Sequence, residues 1–160
     1  MDNKSGFTLP EILIVSSLLV ILAGVVLGNV FSLRQNVSIS TSIDTIIADM
    51  KDQQTKAMVG DTEGGASAGS YGVYFETGRY TLFHGSAYST GNTSNFVVNL
   101  DSSIQFSNVT FPGSVIVFNS QSGQINGFTP GSNTITVKDR NSTKQKTITI
   151  NRYGVVTSIN

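Results

Sequence analysis

The sequence has no cysteine and no tryptophan, a single histidine and only three prolines in 160 residues. The absence of cysteine excludes a disulfide framework, a zinc site built on thiolates and a cysteine nucleophile. The one histidine, His84, allows a Ser-His-Asp triad only if its imidazole lies in a cleft. These absences predict a protein that is not an enzyme and that carries no metal ion or other cofactor.

Charge is also scarce, and it is balanced. The chain has ten lysines and arginines and ten aspartates and glutamates, and charged residues make up 12% of it. The protein therefore has no net charge that would attract it to nucleic acid or to anionic lipid. The length predicts one globular domain with at most an appendage, which excludes a multidomain enzyme.

One long stretch of the chain, from Ile12 to Leu33, has no charged residue. As a helix it would be roughly 33 Å long at about 1.5 Å per residue, against a bilayer core about 30 Å thick. The alternatives are a buried core helix and the apolar region of a secretory signal, but such regions are only about 7–15 residues long. The stretch therefore predicts a membrane-spanning helix.

An acidic residue, Glu11, lies immediately before this apolar stretch. A carboxylate is costly in lipid and needs an explanation. One explanation is a capping box, in which the Thr8 hydroxyl accepts from the backbone N–H of Glu11 and the Glu11 carboxylate accepts from the backbone N–H of Thr8. Pro10 agrees with a helix start, because its missing N–H falls in the first turn.

These residues resemble the N-terminal signal of the type IV pilins and of the pseudopilins of type II secretion, in the segment Gly6-Phe7-Thr8-Leu9-Pro10-Glu11 and the apolar residues to about 33. The resemblance implies that a prepilin peptidase cleaves after Gly6 and methylates the new terminal amine of Phe7. It also implies that Glu11 pairs with the terminal amine of a neighbouring subunit. A carboxylate and an amine that are each costly in hydrocarbon become tolerable as a pair.

Three residues of this helix affect its regularity. Pro10 departs from the aliphatic residue usual at that place in the family, and it biases Leu9 away from the α conformation. Gly24 and Gly28 form a G-x-x-x-G pair, which permits close helix approach in membranes. Each glycine also weakens a helix by about 1 kcal/mol relative to alanine. We expect the two glycines to let the helix loosen when subunits leave the membrane, as in the filaments that the chain resembles.

Past Arg34 the apolar residues become periodic. They recur at spacings near three and four, which predicts an amphipathic helix that continues to Val59 and covers a sheet with one face. These residues are Ile39, Ile43, Ile46 or Ile47, Met50, Ala57 and Met58. The glycine-rich sequence of residues 60–70 predicts a flexible loop. Asp61 and Glu63 in this loop have the chemistry to hold calcium, but a solvated turn is the preferred interpretation.

From Tyr71 onward the sequence predicts an antiparallel β-rich head, with His84 as an exposed or core-edge imidazole at the end of a strand. The predicted strands are Tyr71–Glu76, Arg79–His84, Phe96–Leu100, Ser103–Phe106, Val115–Asn119, Gln124–Phe128, Thr134–Lys138, Lys146–Arg152 and Val155–Ile159. The fold class is α+β and pilin-like, with one long N-terminal helix packed on the head. The organisation expected is a leader, a membrane and assembly helix, its amphipathic half, a loop and the head, over 1–6, 7–33, 34–59, 60–70 and 71–160.

The C-terminal part adds a second resemblance, to the H-type minor pseudopilins and the FimT-like minor pilins. It lies in the short motifs Val115-Ile-Val-Phe-Asn, Gly123-Gln-Ile-Asn-Gly, Thr134-Ile-Thr-Val-Lys and Thr147-Ile-Thr-Ile-Asn-Arg-Tyr-Gly-Val-Val. This resemblance implies paired sheets that pack on the lower half of the long helix.

Half of the basic residues fall in one short stretch near the C-terminus, where Asp139 is the one acid: Lys138, Arg140, Lys144, Lys146 and Arg152. The pattern predicts a locally positive hairpin. Lysines on an exposed sheet edge protect it from aggregation, which is one interpretation. The other is a phosphate-contacting patch for DNA uptake, a role that some FimT-like minor pilins have.

Together these features predict a minor pilin or pseudopilin that acts as a structural or priming subunit of a type II secretion pseudopilus or a type IV pilus. It would cross the inner membrane once, with its head outside the cytoplasm, and enter the filament after assembly. The predicted partners are the prepilin peptidase, other pilin or pseudopilin subunits and the membrane. Nucleic acid is a partner only in the DNA-uptake alternative.

Overall fold

The computed structural model describes residues 8–62 and 69–160, and the side chains of residues 25–37 also lie outside that description. In the described part, one α-helix precedes eight β-strands, with a 3₁₀ turn at Pro112–Ser114. Helix α1 spans Leu9–Val59. The chain divides into two compact units, Met1–Val37 and Ser38–Asn160.

Within the second unit, α1 is amphipathic. Its buried residues recur every three or four positions, so that at about 100° per residue they form one stripe along the helix. This buried stripe consists of Ile39, Ile43, Ile46, Met50, Gln53, Gln54 and Ala57. Met58 was expected in the stripe, but its side chain is 50% exposed.

The first sheet has the strand order β3-β2-β1-β5, and all its neighbours are antiparallel. Its strands are β1 (Tyr71–Glu76), β2 (Arg79–His84), β3 (Phe96–Asn99) and β5 (Val115–Phe118). Among the described strands, β3 is therefore an edge strand that pairs with β2 alone. Two of its side chains, Phe96 and Val97, are 66% and 45% exposed.

The second sheet has the order β4-β6-β7-β8 and is also antiparallel. Its strands are β4 (Ile104–Val109), β6 (Thr134–Asp139), β7 (Gln145–Ile150) and β8 (Val156–Ile159). A hairpin over residues 140–144 joins β6 to β7. In β7, Ile148 and Ile150 are buried and the intervening Thr149 is half-buried, as expected for a strand with one face on the core.

Both sheets and the buried stripe of α1 contribute to one hydrophobic core. The two sheets meet at a cluster of aromatic rings, where Phe106 of β4 lies 5.2 Å from Phe75 of β1 and 6.3 Å from Tyr80 of β2 between ring centroids. The backbone N–H of Phe106 also donates to the Thr77 carbonyl at 2.9 Å. The predicted α+β class, with a helix on antiparallel sheets, is confirmed.

One predicted strand, Gln124–Phe128, is wrong. Only Ile125 forms a single β-bridge, with Phe118. Gly123 and Gly127 have φ angles of +63° and +60°, a left-handed conformation that side chains other than glycine rarely adopt, so the chain turns on both sides of Ile125. Strands β1 and β2 have the predicted ends. The other predicted strands are present with shifted ends, and β4 continues to Val109 beyond its predicted end at Phe106.

The C-terminus of α1 closes with a glycine cap. Gly60 has φ +71°, and the backbone N–H of Asp61 donates to the Lys56 carbonyl at 3.0 Å. This hydrogen bond, from one residue back to the fifth residue before it around a glycine with positive φ, is the Schellman motif. It satisfies a backbone carbonyl that has no partner within the helix.

Gln54 ties α1 to two distant loops. Its Nε2 donates to the carbonyls of Gly123 and Tyr153 at 2.9 and 2.6 Å. The Lys51 ammonium donates to Gln54 Oε1 at 2.9 Å, which fixes the orientation of the amide. Gln54 is only 4% exposed, so these bonds are made out of reach of water. The neighbouring Gln53 is equally buried, but its Oε1 has no hydrogen-bond partner among the described residues.

These two adjacent glutamines give a matched test. Gln54→Leu should lower the free energy of unfolding by about 2–4 kcal/mol, because two buried carbonyls lose their donor. Gln53→Leu should be neutral or stabilising, because it removes an unpaired buried oxygen at similar volume. Thermal melting of the full chain in detergent, followed by near-UV circular dichroism, measures both. Equal losses in the two variants would contradict the role assigned to Gln54.

Candidate functional site

The start of α1 carries Glu11, the first residue singled out from the sequence. The hydrogen bonds at this end run through the backbone: the N–H groups of Glu11 and Ile12 donate to the Thr8 carbonyl at 3.1 and 3.2 Å. The side-chain bonds of the expected capping box are not among the hydrogen bonds of the described residues. Glu11 is exposed, so its carboxylate is accessible to a partner.

The described part of the first helical unit is apolar and exposed. Large apolar side chains from Leu9 to Leu22 are each more than half exposed: Leu9, Ile12, Leu13, Ile14, Val15, Leu18, Leu19, Val20, Ile21 and Leu22. They lie on every side of the helix, which is typical of a helix that is covered all round by lipid or by other helices.

Two serines interrupt this apolar surface without leaving a polar group unsatisfied. The Ser16 hydroxyl donates to the Ile12 carbonyl at 2.6 Å, and the Ser17 hydroxyl donates to the Ile14 carbonyl at 2.8 Å. Such bonds back to the preceding turn remove the cost of a free hydroxyl in an apolar environment. Among the residues that the structure describes, no helix combines the length and hydropathy needed to cross a membrane.

Several predicted sites of the N-terminal segment lie wholly or partly outside the described residues. The cleavage junction of Gly6 and Phe7 is outside them, and so is the environment of Gly28. At Gly24 a Cβ atom would meet no other atom within 4 Å. No contact therefore requires a glycine at that position, and the loosening role of Gly24 and Gly28 stays a prediction.

The structure separates the five basic residues that the sequence placed together. Four of them, Lys138, Arg140, Lys144 and Lys146, lie on or beside the turn between β6 and β7; Arg152 lies beyond the other end of β7. Along a six-residue strand this separation is about 17–20 Å. We call residues 138–146 the basic hairpin.

Local contacts shape the basic hairpin. Asp139 is 1% exposed, and its Oδ1 accepts from the Asn141 backbone N–H at 2.6 Å, which holds the turn. Arg140 Nε donates to the Ile104 carbonyl at 3.3 Å. Lys146 Nζ donates to Ser40 Oγ at 3.3 Å, so this side of the hairpin lies against α1.

The other residues singled out from the sequence are His84, Asp61 and Glu63. Those of them that the structure describes do not form a catalytic site. The His84 ring stacks on Tyr71 at 4.6 Å between centroids, at the end of β2. Asp61 accepts through its main-chain carbonyl from the Tyr71 hydroxyl at 3.2 Å, and Glu63 lies outside the described residues. The described residues contain no group of three or more histidine, aspartate or glutamate side chains placed to hold a metal ion.

A groove that was not predicted from the sequence lies between α1 and the edge strand β3. We call it the helix–strand groove. It consists of two hollows of about 370 and 320 Å³. One wall is a flank of α1 with the residues Ser38, Thr41, Thr45, Asp49, Asp52 and Lys56. The other wall includes Ser94, Phe96, Asn99 and Asp101. Polar residues recur every three or four positions along this flank of α1. That spacing is the feature of the sequence from which the helix wall of the groove could have been predicted.

A hydrogen bond divides the two hollows. The hydroxyl of Tyr80 donates to Asp49 Oδ2 at 2.5 Å. Tyr80 is buried, and burial together with this bond raises the pKa of its phenol well above the usual value of 10.0. Tyr80 therefore stays neutral and fixes the position of the Asp49 carboxylate at the middle of the groove.

Comparison with known proteins identifies the N-terminal segment. Residues 1–27 match the family model described as the prokaryotic N-terminal methylation motif, which is the prepilin signal of type IV pilins and pseudopilins. The resemblance seen in Gly6 to Glu11 is thus confirmed, and the α+β architecture is consistent with a pilin-like fold. The motif supports a pilin-like or pseudopilin subunit, a structural class that is processed by a prepilin peptidase and assembles with other subunits. No curated protein and no solved structure matches the chain.

The bond between Tyr80 and Asp49 predicts a pH-dependent effect. Tyr80→Phe should lower the free energy of unfolding by about 1–3 kcal/mol near neutral pH, because the carboxylate loses its donor. Above about pH 10 the unfolded tyrosine loses its proton while the folded one keeps it. The wild-type chain therefore loses stability there that the variant does not lose, and the difference between them should shrink.

Melting temperatures of both chains from pH 7 to pH 11.5 measure this difference. Tyr153→Phe is the matched control, because Tyr153 is 60% exposed and its ring is outside the groove. A difference between wild type and Tyr80→Phe that stays constant over this range would contradict the assignment.

Proposed function

We propose that the protein is a minor pilin or pseudopilin, a structural or priming subunit of a type II secretion pseudopilus or a type IV pilus. The observation that carries the proposal is the prepilin signal over residues 1–27. The resemblance of the C-terminal strands to H-type minor pseudopilins and FimT-like minor pilins supports the minor class. On this proposal, the leader is residues 1–6 and the mature chain begins at Phe7.

The proposed anchor is the apolar helix from Ile12 to Leu33, which would cross the inner membrane once and leave the head outside the cytoplasm. Its support is the uncharged sequence, together with the all-round exposure of apolar side chains from Leu9 to Leu22. The hydroxyls of Ser16 and Ser17 are already bonded to backbone carbonyls, so they add little to the cost of insertion.

Glu11 is the proposed assembly residue. It is exposed at the start of an otherwise apolar helix, and no side-chain partner for it is present in the described residues. In lipid an unpaired carboxylate is unfavourable, so a neighbouring subunit that brings a terminal amine to this point stabilises the pair. The pairing fixes the register of one helix against the next, since it forms at only one relative position.

The DNA-uptake alternative depends on the basic residues of the C-terminal strands. Four of these residues remain together in the basic hairpin, and Arg152 lies apart beside the exposed ring of Tyr153. Non-specific binding of single strands combines a positive groove with aromatic stacking platforms. The separation of Tyr153 from the hairpin gives this alternative less support than assembly has.

Processing is the first prediction for the proposed function. Co-expression with a prepilin peptidase should remove residues 1–6 and leave Phe7 as an N-methylated terminus, and intact-mass analysis measures this directly. Gly6→Leu should block the cut, because the residue before the cleaved bond is changed. A chain that keeps Met1, or one that is cut beyond Gly28, would contradict the proposal.

The second prediction concerns assembly. Glu11→Val should leave processing and membrane insertion unchanged but reduce incorporation into the filament at least tenfold, since breaking a buried ion pair costs about 3–5 kcal/mol. Ser16→Val is the matched control in the same helix, because the Ser16 hydroxyl bonds only within its own helix. Sheared-filament fractions probed with an antibody measure both. Normal incorporation of Glu11→Val would show that Glu11 has no assembly role.

A further inference from the structure

The larger hollow of the helix–strand groove combines polar and apolar walls. Its volume is about 370 Å³. This is the size of a site that takes an organic group, and it far exceeds the space of one water molecule or one ion. Its apolar walls come from three residues of β2 and β3, and its polar walls come from α1 and from the residues before β3. The apolar residues are Leu82, Phe83 and Phe96, and the polar ones are Asp49, Asp52, Gln53, Lys56 and Ser94.

Gln53 is the unusual residue of this hollow. Its side chain is 3% exposed, and its Oε1 has no hydrogen-bond partner among the described residues. A buried amide oxygen without a donor is unfavourable, and few such groups occur in native proteins. Because Gln53 lies in the wall of the hollow, a donor that enters the hollow satisfies this oxygen.

A second acceptor lies beside Gln53 on the same flank of α1. Asp49 accepts the hydroxyl of Tyr80 through Oδ2, and its Oδ1 has no hydrogen bond in the described part of the chain. At about 100° per residue, Gln53 leaves the helix only about 40° from Asp49, one turn further on. A carboxylate oxygen next to an amide oxygen suits a positively charged group with several N–H donors.

The other charges of the groove leave this place open. Asp52 pairs with Lys56 at 3.2 Å, with side-chain exposures of 57% for Asp52 and 35% for Lys56. An exposed pair of this kind contributes little to stability, so an incoming cation can share Asp52. Asp101 borders the smaller hollow, and its Oδ1 already accepts from the backbone N–H and the hydroxyl of Ser103 at 2.8 and 2.6 Å. The inference therefore uses the larger hollow alone.

Strand β3 borders the larger hollow with an edge that has no neighbouring strand in the described part of the chain. Phe96 and Val97 on this strand are 66% and 45% exposed. Phe96 lines the hollow, whereas Val97 points to the other face of the sheet. An extended segment on this edge places every second side chain on the side of the hollow. A cation that enters the hollow there also gains from the face of the Phe96 ring.

We propose that the free edge of β3 receives an extended segment of a different protein, and that an arginine side chain of this segment fills the larger hollow. Its guanidinium donates to Asp49 Oδ1 and Gln53 Oε1. An arginine fits better than a lysine, because its planar fork of donors serves two acceptors at once and stacks on an aromatic ring. Main-chain bonds to β3 supply affinity, and the hollow supplies specificity. The proposal goes beyond the proposed function, since the contact belongs to the head and does not depend on cleavage after Gly6.

A short peptide tests the contact on the full chain in detergent. The probe is acetyl-Thr-Val-Arg-Val-Thr with a fluorophore at its C-terminus, and fluorescence anisotropy measures its binding. Its arginine and threonines face the groove when its two valines lie beside Val97. The matched peptide has citrulline in place of arginine, which keeps the shape and removes the charge. The citrulline peptide should bind at least tenfold more weakly.

Substitutions in the hollow locate the binding site. Gln53→Leu should weaken binding of the arginine peptide at least tenfold while the near-UV circular dichroism of the head stays unchanged. Lys56→Met should strengthen binding several-fold, because the competing ammonium is removed. Lys144→Met is the matched control, since it changes the net charge equally but Lys144 belongs to the basic hairpin and does not line the hollow. This control should leave binding unchanged.

Backbone methylation tests the strand contact. The N–H groups of successive residues in a strand point to opposite edges, so only every second one faces β3. Two arginine peptides with N-methyl groups on alternate residues, one in each register, should therefore differ. One should bind like the unmodified peptide, and the other should bind at least tenfold more weakly.

Several results would overturn the proposal. They are equal binding of the arginine and citrulline peptides, unchanged binding by Gln53→Leu, equal binding of both methylated peptides, and no binding of the arginine peptide at all. An equal gain from Lys56→Met and Lys144→Met would also count against it, because attraction to the net charge alone would explain the binding. None of these results affects the proposed function, which fails only if cleavage after Gly6 or assembly through Glu11 fails.

Discussion

The buried stripe of α1 is the constraint on which the head depends. Each four-stranded sheet has one apolar face, and the two faces share one core with the helix residues from Ile39 to Ala57. Because the helix is the third wall of that core, its rotation about its own axis is fixed by which residues are buried. Gln54 adds a polar restraint, since its amide is bonded to two loops that are far apart in the sequence.

Once that rotation is fixed, the flanks of the helix have fixed surroundings. The side that carries Asp49 and Asp52 faces strand β3, and the side that carries Ser40 faces the basic hairpin. The helix–strand groove and the contact of the basic hairpin with α1 are therefore consequences of the same packing that stabilises the head. A change in the buried stripe that rotated the helix would alter both surfaces together, although neither is part of the core.

The sequence predicted the features that depend on local periodicity. The spacing of apolar residues identified the buried side of α1, and strand alternation located most strands. The strand at Gln124–Phe128 was predicted wrongly, because two glycines with positive φ turn the chain there. The strand wall of the groove and the bonds of Gln54 could not be predicted, since their partners are brought together only by tertiary packing: Gln54 and Tyr153 are 99 residues apart. The split of Arg152 from the other cations has the same cause.

On the proposed function, the start of α1 has a requirement that depends on processing. The Glu11 carboxylate needs a cationic partner in an apolar environment, and the terminal amine of Phe7 exists only after the leader has been removed. A precursor therefore cannot supply that amine, so cleavage comes before the pairing that fixes register. On the proposed function, the helix pairing is therefore controlled by processing.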